Sequence, residues 1–336
     1  AADAAPRLLD FSSDLERAVF CFLAASCWPG PLSIVGRAQP AIPPEVTAST
    51  GFVAVRCPDH DVARQLIAAA GVPLAAPSAN RFGHISPTLP EHVLEDLGHV
   101  RGLRILDGGP CGVGIESTVL KLDVERERVI ILRKGGVTKD RLEHLLAGAF
   151  ADGTLQKNVH VEYTEKLAAS AEALKSREAA DPGEAQESPG LLLRHYSPSV
   201  PSTLLAAEAT AIAAGEVIPC DVNRSVLVDF AGRMRPMHKH FLKTFDLCLH
   251  HDTSDAPGSV EEACARAFSV LRLAEAFAVS NGAELICIAD FDAGRLGGYA
   301  DALHDRMFRA ASGRRAALCG GAEGPPRLTQ VSGGVP

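Results

Sequence analysis

Polar side chains that could bind a small ligand concentrate in one proline-bounded stretch, Ala76-Pro-Ser-Ala-Asn-Arg-Phe-Gly-His-Ile-Ser-Pro-Thr88. Four of them carry a hydroxyl or an amide, which can both donate and accept hydrogen bonds: Ser78, Asn80, Ser86 and Thr88. Taken singly, each could be only a turn former, and Ser86-Pro-Thr88 could be only a helix N-cap. Together, at these spacings, they indicate a site for a polar ligand.

The residues on either side of this stretch predict its placement. Residues 72–76 form an apolar run that predicts a short buried strand, and residues 90–97 carry apolar residues at helical spacing. The polar residues would then follow the end of a strand. Ligands of open α/β sheets usually bind outside the carboxyl ends of strands, so the predicted placement agrees with a binding site.

Two arginines, Arg56 and Arg133, each follow a run of β-branched and other apolar residues. An arginine at a strand end is either a solvated surface charge, which is the commoner case, or a fork for a carboxylate or phosphate. Residues 105–119 predict two strands joined by a loop with four glycines, and Ser117 lies at the end of that loop. Glycines let the backbone approach an anion closely. Arginines, glycines and hydroxyls together suit a nucleotide and a small zwitterion.

Five segments in the first 150 residues form a longer pattern: Trp28-Pro-Gly-Pro-Leu32, Val53-Ala-Val-Arg-Cys-Pro58, residues 76–88, residues 106–118 and Leu132-Arg-Lys-Gly135. A sixth is Ser188-Pro-Gly-Leu-Leu-Leu-Arg-His-Tyr-Ser-Pro-Ser-Val-Pro201. This set resembles the YrdC-type threonylcarbamoyl-AMP synthase family, in its longer form with a second domain. The resemblance implies a YrdC-like open twisted α/β sheet with helices and a concave ligand site, followed by a smaller Rossmann-like α/β domain.

The resemblance implies a nucleotidyltransferase that joins L-threonine, bicarbonate and ATP into L-threonylcarbamoyladenylate and releases pyrophosphate. The product would supply the threonylcarbamoyladenosine modification of tRNA, so the downstream tRNA threonylcarbamoyl-transfer machinery is an expected partner. The reaction needs charge neutralisation more than a strong protein base, and no catalytic residue is assigned. We expect Mg²⁺ to be carried mainly by the ATP phosphates, because no pair of acidic residues stands out as a metal cage. Glu116 is either a ligand or, more often at such positions, a structural residue.

By the same resemblance, three residues would bind threonine: Arg56, Ser78 and Ser117. Six would bind ATP: Asn80, Ser86, Thr88, Arg133, His195 and Tyr196. Arg56 would fork the threonine carboxylate, and the linker residues His195 and Tyr196 would close over the nucleotide as a lid.

The chain departs from the family pattern in two places. Family members begin with a strand, a Pro-Thr-Glu-Thr-type turn and a Lys-x-Arg segment that contacts phosphates and threonine. The sequence has neither, so we expect it to lack the amino-terminal part of the family domain. Phe52 stands where the family usually has a small hydroxyl residue.

Breaks in composition predict the organisation of the 336 residues. Residues 1–150 would form the YrdC-like domain, 151–201 a linker that includes the lid, and 202–315 the carboxy-terminal α/β domain. The Gly- and Pro-rich residues 316–336 predict a disordered tail.

The net charge of −8 and the isoelectric point near 5.8 argue against a broad nucleic-acid surface, so any contact with tRNA or double-stranded RNA would be local. The nine cysteines include no C-x-x-C pair, which removes common zinc-ribbon and thioredoxin patterns and favours reduced thiols in the cytoplasm. The apolar runs are too short to span a membrane.

Three functions remain open on the sequence. The first is the adenylate-forming enzyme. The second is a non-catalytic nucleotide- or RNA-binding module of the same fold, which the missing amino-terminal motifs favour. The third is a domain related to carbamoyltransferases of hydrogenase maturation, which would need zinc-finger cysteines that the sequence lacks.

Overall fold

The computed structural model describes residues 2–164, 195–206, 217–249, 259–319 and 326–330. Contacts between residues divide these into two compact units. The first unit holds residues 2–77 and 116–164, and the second holds residues 78–115 and the described residues from 195 onward. The units therefore do not follow the order of the chain. The predicted domain bounds stay predictions, and most of the predicted linker lies outside the described residues.

The first unit contains a five-stranded mixed sheet with the order β2-β1-β3-β4-β5. Its strands are β1 (Leu32–Arg37), β2 (Phe52–Val55), β3 (Thr118–Asp123), β4 (Arg128–Arg133) and β5 (His160–Tyr163). Its helices are α1 (Asp14–Cys27), α2 (Asp61–Ala70) and α4 (Lys139–Ala151), with 3-10 turns at Ala2–Leu8 and Val124–Arg126. β1 pairs antiparallel with β2 and parallel with β3, and β3 pairs antiparallel with β4.

One face of this sheet carries the core of the first unit. Alternate strand residues point to opposite faces, and Leu32 and Ile34 of β1 are fully buried in the same cluster as Phe20 of α1 and Leu142 of α4. α1 begins where the Ser13 hydroxyl accepts a hydrogen bond from the Glu16 N–H at 3.1 Å, which satisfies one of the free helix donors. Helices α1 and α4 thus cover one face of the sheet.

Two strands that the sequence predicts do not form. Residues 72–76 and 105–106 have no strand conformation. Val72 and Leu106 are 58% and 60% exposed, so neither side chain packs into a core. The apolar pattern of these runs is typical of a strand, but a strand also needs a neighbouring strand for its backbone hydrogen bonds. Within the described ranges no strand pairs with these runs.

The second unit contains a seven-stranded sheet with the order β7-β12-β11-β6-β10-β8-β9. Its strands are β6 (Ser202–Ala206), β7 (Val217–Asp221), β8 (Ser225–Asp229), β9 (Lys243–Asp246), β10 (Leu285–Ala289), β11 (Arg315–Cys319) and β12 (Arg327–Gln330). Its helices are α3 (Pro90–Leu97), α5 (Val260–Asn281), α6 (Ala293–Leu296) and α7 (Ala300–Ala310), with 3-10 turns at Val222–Arg224 and Arg235–His240. Strands β11, β6, β10, β8 and β9 run parallel, as in doubly wound folds.

The predicted α/β class is confirmed in both units, with one difference in the second. Strands β11 and β12 lie where the glycine and proline content predicted a disordered tail, and they pair with each other antiparallel. Leu328 of β12 is fully buried in the core beneath these two strands. The sequence signal for β12 is weak, because Leu328 is its single apolar residue among polar neighbours. With these strands the second sheet is larger than the first by strand number.

The core of the second unit explains why residues 78–115 belong to it. Ile85, Ile115 and Tyr196 are buried in one cluster with residues of α5 and α7. Gly114 lies against α5, where an added Cβ would come within 2.1 Å of the Cys264 carbonyl oxygen. The polar stretch singled out by the sequence is therefore held against the carboxy-terminal helices. Within the described part of the chain, no helix has the length and apolar character needed to cross a membrane.

Candidate functional site

In the first unit, four polar side chains lie at one edge of the sheet, where β1 and β3 begin and β2 and β4 end. The register pairs Leu32, at the start of β1, with Thr118, at the start of β3. It also pairs Arg133, at the end of β4, with Val119. β2 runs antiparallel to β1 and ends beside Ile34. Because of these directions, four residues lie at the same edge: Ser33, Arg56, Ser117 and Arg133.

Ser117 is the centre of this group and is only 3% exposed. Arg133 donates from Nε and Nη2 to the Ser117 carbonyl oxygen at 3.1 and 3.0 Å, and from Nη2 to the Ser117 Oγ at 3.0 Å. The Ser117 Oγ also lies 2.8 Å from the Ser33 Oγ. A guanidinium held by three hydrogen bonds has one orientation, so its charge stays at a fixed place at the sheet edge.

The backbone around Ser117 is held by the turn that follows β4. The Gly136 N–H donates to the Glu116 carbonyl at 3.0 Å. The buried Thr118 Oγ1 donates to the Val137 carbonyl at 2.5 Å and accepts from the Val137 N–H at 2.9 Å. Gly135 lies so close that an added Cβ would come within 2.4 Å of backbone atoms of residues 116–118. The two glycines after Lys134 therefore serve a close backbone approach.

Arg56 adds a second guanidinium near the first. The pKa of Arg56 lies below the ordinary arginine value, chiefly because the surrounding protein partly desolvates the guanidinium and secondarily because of the charge of Arg133. Arginine still stays protonated at neutral pH, so the sheet edge carries two positive charges. More than a third of the Arg56 surface remains exposed, which leaves its donors accessible to a ligand.

A small apolar cluster lies on the face of the sheet opposite helices α1 and α4. Val35, Val119 and Leu132 form this buried cluster, with Phe52 packed against them. The Lys121 Nζ lies 4.0 Å from the centre of the Phe52 ring, within the range of a cation–π contact. Phe52, the departure from the family pattern, thus holds a lysine over this face in place of a small hydroxyl.

The second unit holds the other predicted ATP residues of the polar stretch. Ser86 and Thr88 are buried, at 8% and 5% exposure, whereas Ser78 is exposed. The Asn80 amide donates from Nδ2 to the carbonyls of Arg81 and His84 at 2.8 and 3.1 Å. Its Oδ1 is buried without a hydrogen-bond partner among the described residues. A buried amide oxygen without a partner is costly, so this atom is suited to accept from a ligand.

His195 and Tyr196 lie in the second unit, with ring centres 4.1 Å apart. Tyr196 is fully buried, and its ring packs 5.2 Å from that of Phe268 and 5.3 Å from the Arg306 guanidinium carbon. Its φ of 60° is in the left-handed region, which a tyrosine rarely adopts. A lid role for this pair stays a prediction, since the preceding lid residue, Arg194, lies outside the described residues.

Among the described residues, no group of three or more His, Cys, Asp or Glu side chains is arranged to hold a metal ion. A role for Mg²⁺ bound to nucleotide phosphates stays a prediction. Glu116 takes part in the turn through its backbone carbonyl.

Comparison with known proteins decides the family. A family model described as "Telomere recombination", of the Sua5, YciO and YrdC proteins, matches residues 5–135. A second, described as "Threonylcarbamoyl-AMP synthase, C-terminal domain", matches residues 137–312, which is more than half of the chain. The chain belongs to the two-domain threonylcarbamoyl-AMP synthase family. The resemblance stated from the sequence motifs is thus confirmed.

Curated members of the family are similar over part of their length. Threonylcarbamoyl-AMP synthase of Bacillus subtilis is 39% identical over 176 residues, which cover 52% of this chain and 43% of the relative. Those of Schizosaccharomyces pombe and Pyrococcus abyssi are 37% and 34% identical, over 56% and 53% of this chain and 42% and 44% of the relatives. The matched part spans less than half the length of these relatives.

Solved structures support the fold. The crystal structure of P. abyssi Sua5 complexed with L-threonine superposes with a TM-score of 0.63 over 92% of this chain and 77% of that chain, at 24% identity. A variant of the same protein, with an adjacent histidine and tyrosine replaced by alanine, gives a TM-score of 0.62, covers 92% of this chain and 76% of that chain, and is 22% identical. At these identities the likeness concerns the fold alone.

The sequence missed one residue of the sheet-edge group. Ser33 lies inside the apolar alternation of β1 and looks like an ordinary strand residue, so nothing local marks it. Only the pairing of β1 with β3 brings its hydroxyl to Ser117. The three other members, Arg56, Ser117 and Arg133, were all predicted, and the structure brings them together in the first unit.

Proposed function

We propose that this protein is a threonylcarbamoyl-AMP synthase. It would convert L-threonine, bicarbonate and ATP into L-threonylcarbamoyladenylate and pyrophosphate. The observation that carries the proposal is the pair of guanidiniums, Arg56 and Arg133, beside two hydroxyls at one edge of a sheet in a chain of this family. Two positive charges, of which that of Arg133 is held in place by hydrogen bonds, suit substrates that carry carboxylate, bicarbonate or phosphate groups.

Threonine would bind at the sheet edge of the first unit. Arg56 has accessible donors for the threonine carboxylate, and a fork-to-carboxylate contact is the strongest hydrogen-bonding arrangement an arginine makes. Ser117 and Ser33 offer hydroxyls that can donate or accept, which suits an amine, a carbamate or the threonine hydroxyl. Ser78, the third predicted threonine residue, is exposed in the second unit and remains part of the proposal.

The residues proposed to bind ATP include an amide, hydroxyls, two aromatic rings and an arginine. Asn80 has a buried amide oxygen that needs a donor, which an adenine amine or a ribose hydroxyl could supply. Ser86 and Thr88 are the proposed hydroxyls near the phosphates, and His195 with Tyr196 the proposed lid. Arg133 would neutralise charge on the nucleotide as the α-phosphorus is attacked.

The chemistry asked of the protein is mainly positioning and charge neutralisation. The threonine amine and bicarbonate would give a carbamate with loss of water, and a carbamate oxygen would then attack the α-phosphorus of ATP as its bond to pyrophosphate breaks. Mg²⁺ bound to the phosphates would neutralise part of the charge on the leaving group. The residues of this chain would hold the carbamate in line and shield it from water. The product would serve threonylcarbamoyladenosine formation in tRNA, and any direct tRNA contact would be local.

The test is pyrophosphate release by the full-length protein with each substrate omitted in turn. We expect release only when ATP, Mg²⁺, threonine and bicarbonate are all present. Ser117→Ala should lower the rate without changing the requirement for all four, because Ser117 orients and does not react. Pyrophosphate formed without threonine or without bicarbonate would overturn the proposal.

The second candidate, a non-catalytic nucleotide-binding module, keeps one supporting observation. Phe52, with the Lys121 Nζ 4.0 Å from its ring centre, stands where the family usually has a small hydroxyl residue that contacts the nucleotide. That candidate predicts ATP binding with no pyrophosphate release under any condition. The omission experiment therefore separates the two functions.

A further inference from the structure

A buried charge network joins helix α5 to the segment that carries the proposed nucleotide residues. Arg272 of α5 is 6% exposed. Its Nη2 donates to the Ile85 carbonyl at 2.6 Å and to Asp96 Oδ2 at 2.7 Å, and its Nε lies 3.4 Å from the Ser86 carbonyl. One guanidinium therefore fixes two successive carbonyls of the polar stretch and the carboxylate of α3.

A second link runs through His84. Its Nδ1 lies 3.1 Å from the Asp96 carboxylate, and its Nε2 lies 3.0 Å from Glu275 Oε2. The Asp96 side chain is 1% exposed, and those of His84 and Glu275 are 11% and 12% exposed. Glu275 also accepts from the N–H and hydroxyl of Ser199, at 2.6 and 2.5 Å. The network thus also reaches the chain just after the proposed lid.

This network reaches a proposed ATP residue directly. The Asn80 Nδ2 donates to the carbonyl of His84, the residue held by Asp96 and Glu275. Ser86 follows Ile85, whose carbonyl Arg272 holds. Replacement of a buried ion pair by apolar residues of similar volume is often neutral or stabilising, so net stability does not account for this network. Its hydrogen bonds instead hold the carbonyls of Ile85 and Ser86 and the ring of His84 in place.

We propose that Arg272 and Glu275 of helix α5 are positioning residues for nucleotide binding, which act through His84 and Asp96 on the loop that carries Asn80 and Ser86. The carboxy-terminal part of the chain would then set the affinity of the protein for ATP. The inference rests on the proposed function for the nucleotide role of that loop. None of these four residues need touch the reacting atoms.

The network also gives the loop a dependence on pH. The pKa of His84 is raised above the ordinary value of 6.5, chiefly by its hydrogen bond to Glu275 and also by Asp96, against the opposing effect of burial. The charged groups around it are Asp96 of α3, Glu275 and Arg272 of α5, and Arg81 on its own loop, whose Nε lies 3.3 Å from Asp96.

The sign follows from the direction of the shift. A raised pKa means that the folded loop favours protonated His84, so this stabilisation is present at low pH and is lost as the pH rises through the raised pKa. His92, four residues before Asp96, has its pKa lowered by burial and by Arg272. The pKa of His92 therefore lies below the ordinary histidine value and that of His84 lies above it, so the two titrations can be distinguished.

The first test compares Arg272→Gln with Arg266→Gln in the full chain. Arg266 lies on the same helix, and its Nη1 donates to the Leu247 carbonyl at 3.2 Å, away from the loop. We expect R272Q to raise the Kd for ATP about tenfold or more, because a charge-assisted contact is lost, while R266Q changes it by less than about twofold. Threonine affinity should change in neither variant.

Hydrogen exchange at residues 80–88 gives a readout that does not need ATP. R272Q should exchange faster there than R266Q and wild type. If wild type binds no ATP, the proposed function fails, but equal exchange in the two variants would still overturn the positioning role. If wild type binds ATP and R272Q binds it equally well, the inference is wrong while the proposed function stands.

The second test uses His84→Gln, which keeps a hydrogen-bonding side chain but cannot titrate. In wild type the Kd for ATP should rise as the pH increases above 6.5 through the raised pKa of His84. In H84Q that step should be absent, and affinity should vary smoothly. The same pH step in wild type and H84Q would remove His84 from the role.

Discussion

Gly135→Ala tests how the sheet-edge site of the first unit is built. A Cβ at residue 135 would lie 2.4 Å from the Glu116 carbonyl oxygen, from the Ser117 carbonyl carbon and from the Thr118 nitrogen. All three are backbone atoms, so no flexible side chain can move away. The hydrogen bond from the Gly136 N–H to the Glu116 carbonyl also holds the two segments together. The substitution must therefore displace Ser117.

Overpacking of a well-packed region costs about 1–3 kcal/mol, and a clash with backbone alone places this change at or above the top of that range. Displacement of Ser117 also moves the carbonyl and hydroxyl that hold Arg133. Loss of a hydrogen bond to a charged group costs about 1.5–3 kcal/mol, so we expect the Kd for threonine to rise about tenfold or more.

Gly148→Ala is the matched control. Gly148 lies inside helix α4, where an added Cβ meets nothing within 4 Å. Alanine is the better helix former, so this variant should be more stable by up to about 1 kcal/mol. Trp28 is the single tryptophan of the chain and is buried in the first unit, so its fluorescence reports unfolding of that unit in denaturant.

The assay pairs that unfolding curve with threonine binding by calorimetry. G135A should unfold at lower denaturant concentration and bind threonine more weakly, while G148A should do neither. The reasoning is refuted if G135A and G148A shift the midpoint in the same direction and bind threonine as wild type does.

Three further changes test single residues of the account. Arg56→Ala should raise the threonine requirement more than the ATP requirement, because a lost charge-assisted fork costs about 1.5–3 kcal/mol, and an equal loss for both substrates would move Arg56 out of that role. Ser33→Ala removes the 2.8 Å contact with the Ser117 Oγ and should weaken threonine binding by about 0.5–1.5 kcal/mol; unchanged binding in calorimetry would exclude Ser33 from the site. Tyr196→Ala removes a fully buried ring, so it should destabilise the second unit by about 3–5 kcal/mol and weaken ATP binding, while Trp28 fluorescence still reports a folded first unit. The control Tyr196→Phe should be close to wild type in stability. Equal ATP affinity in both variants and wild type would contradict the lid proposal.

Local patterns predicted the site where its residues lie at the ends of elements. Arg56 directly follows β2 and Arg133 is the last residue of β4, and both strands could be predicted from their β-branched and other apolar residues. These features depend only on neighbouring residues.

Features that depend on distant partners could not be predicted. His84 meets Glu275 across 191 residues of sequence, and nothing near either residue marks the pair. The runs 72–76 and 105–106 are patterned as strands, yet strand formation needs a hydrogen-bonding neighbour that the local pattern cannot supply. The grouping of residues 78–115 with the second unit has the same origin, because it depends on packing of Ile85 and Ile115 against α5.

The central claim is that the enzyme incorporates bicarbonate carbon into an adenylate of threonine. The most direct measurement supplies ¹³C-bicarbonate to the full-length protein with ATP, Mg²⁺ and threonine, and follows the nucleotide products by mass spectrometry. The account predicts threonylcarbamoyl-adenylate that carries the heavy carbon and forms in equal amount to pyrophosphate. An adenylate without the label, or pyrophosphate with AMP and no labelled adenylate at any time, would contradict it.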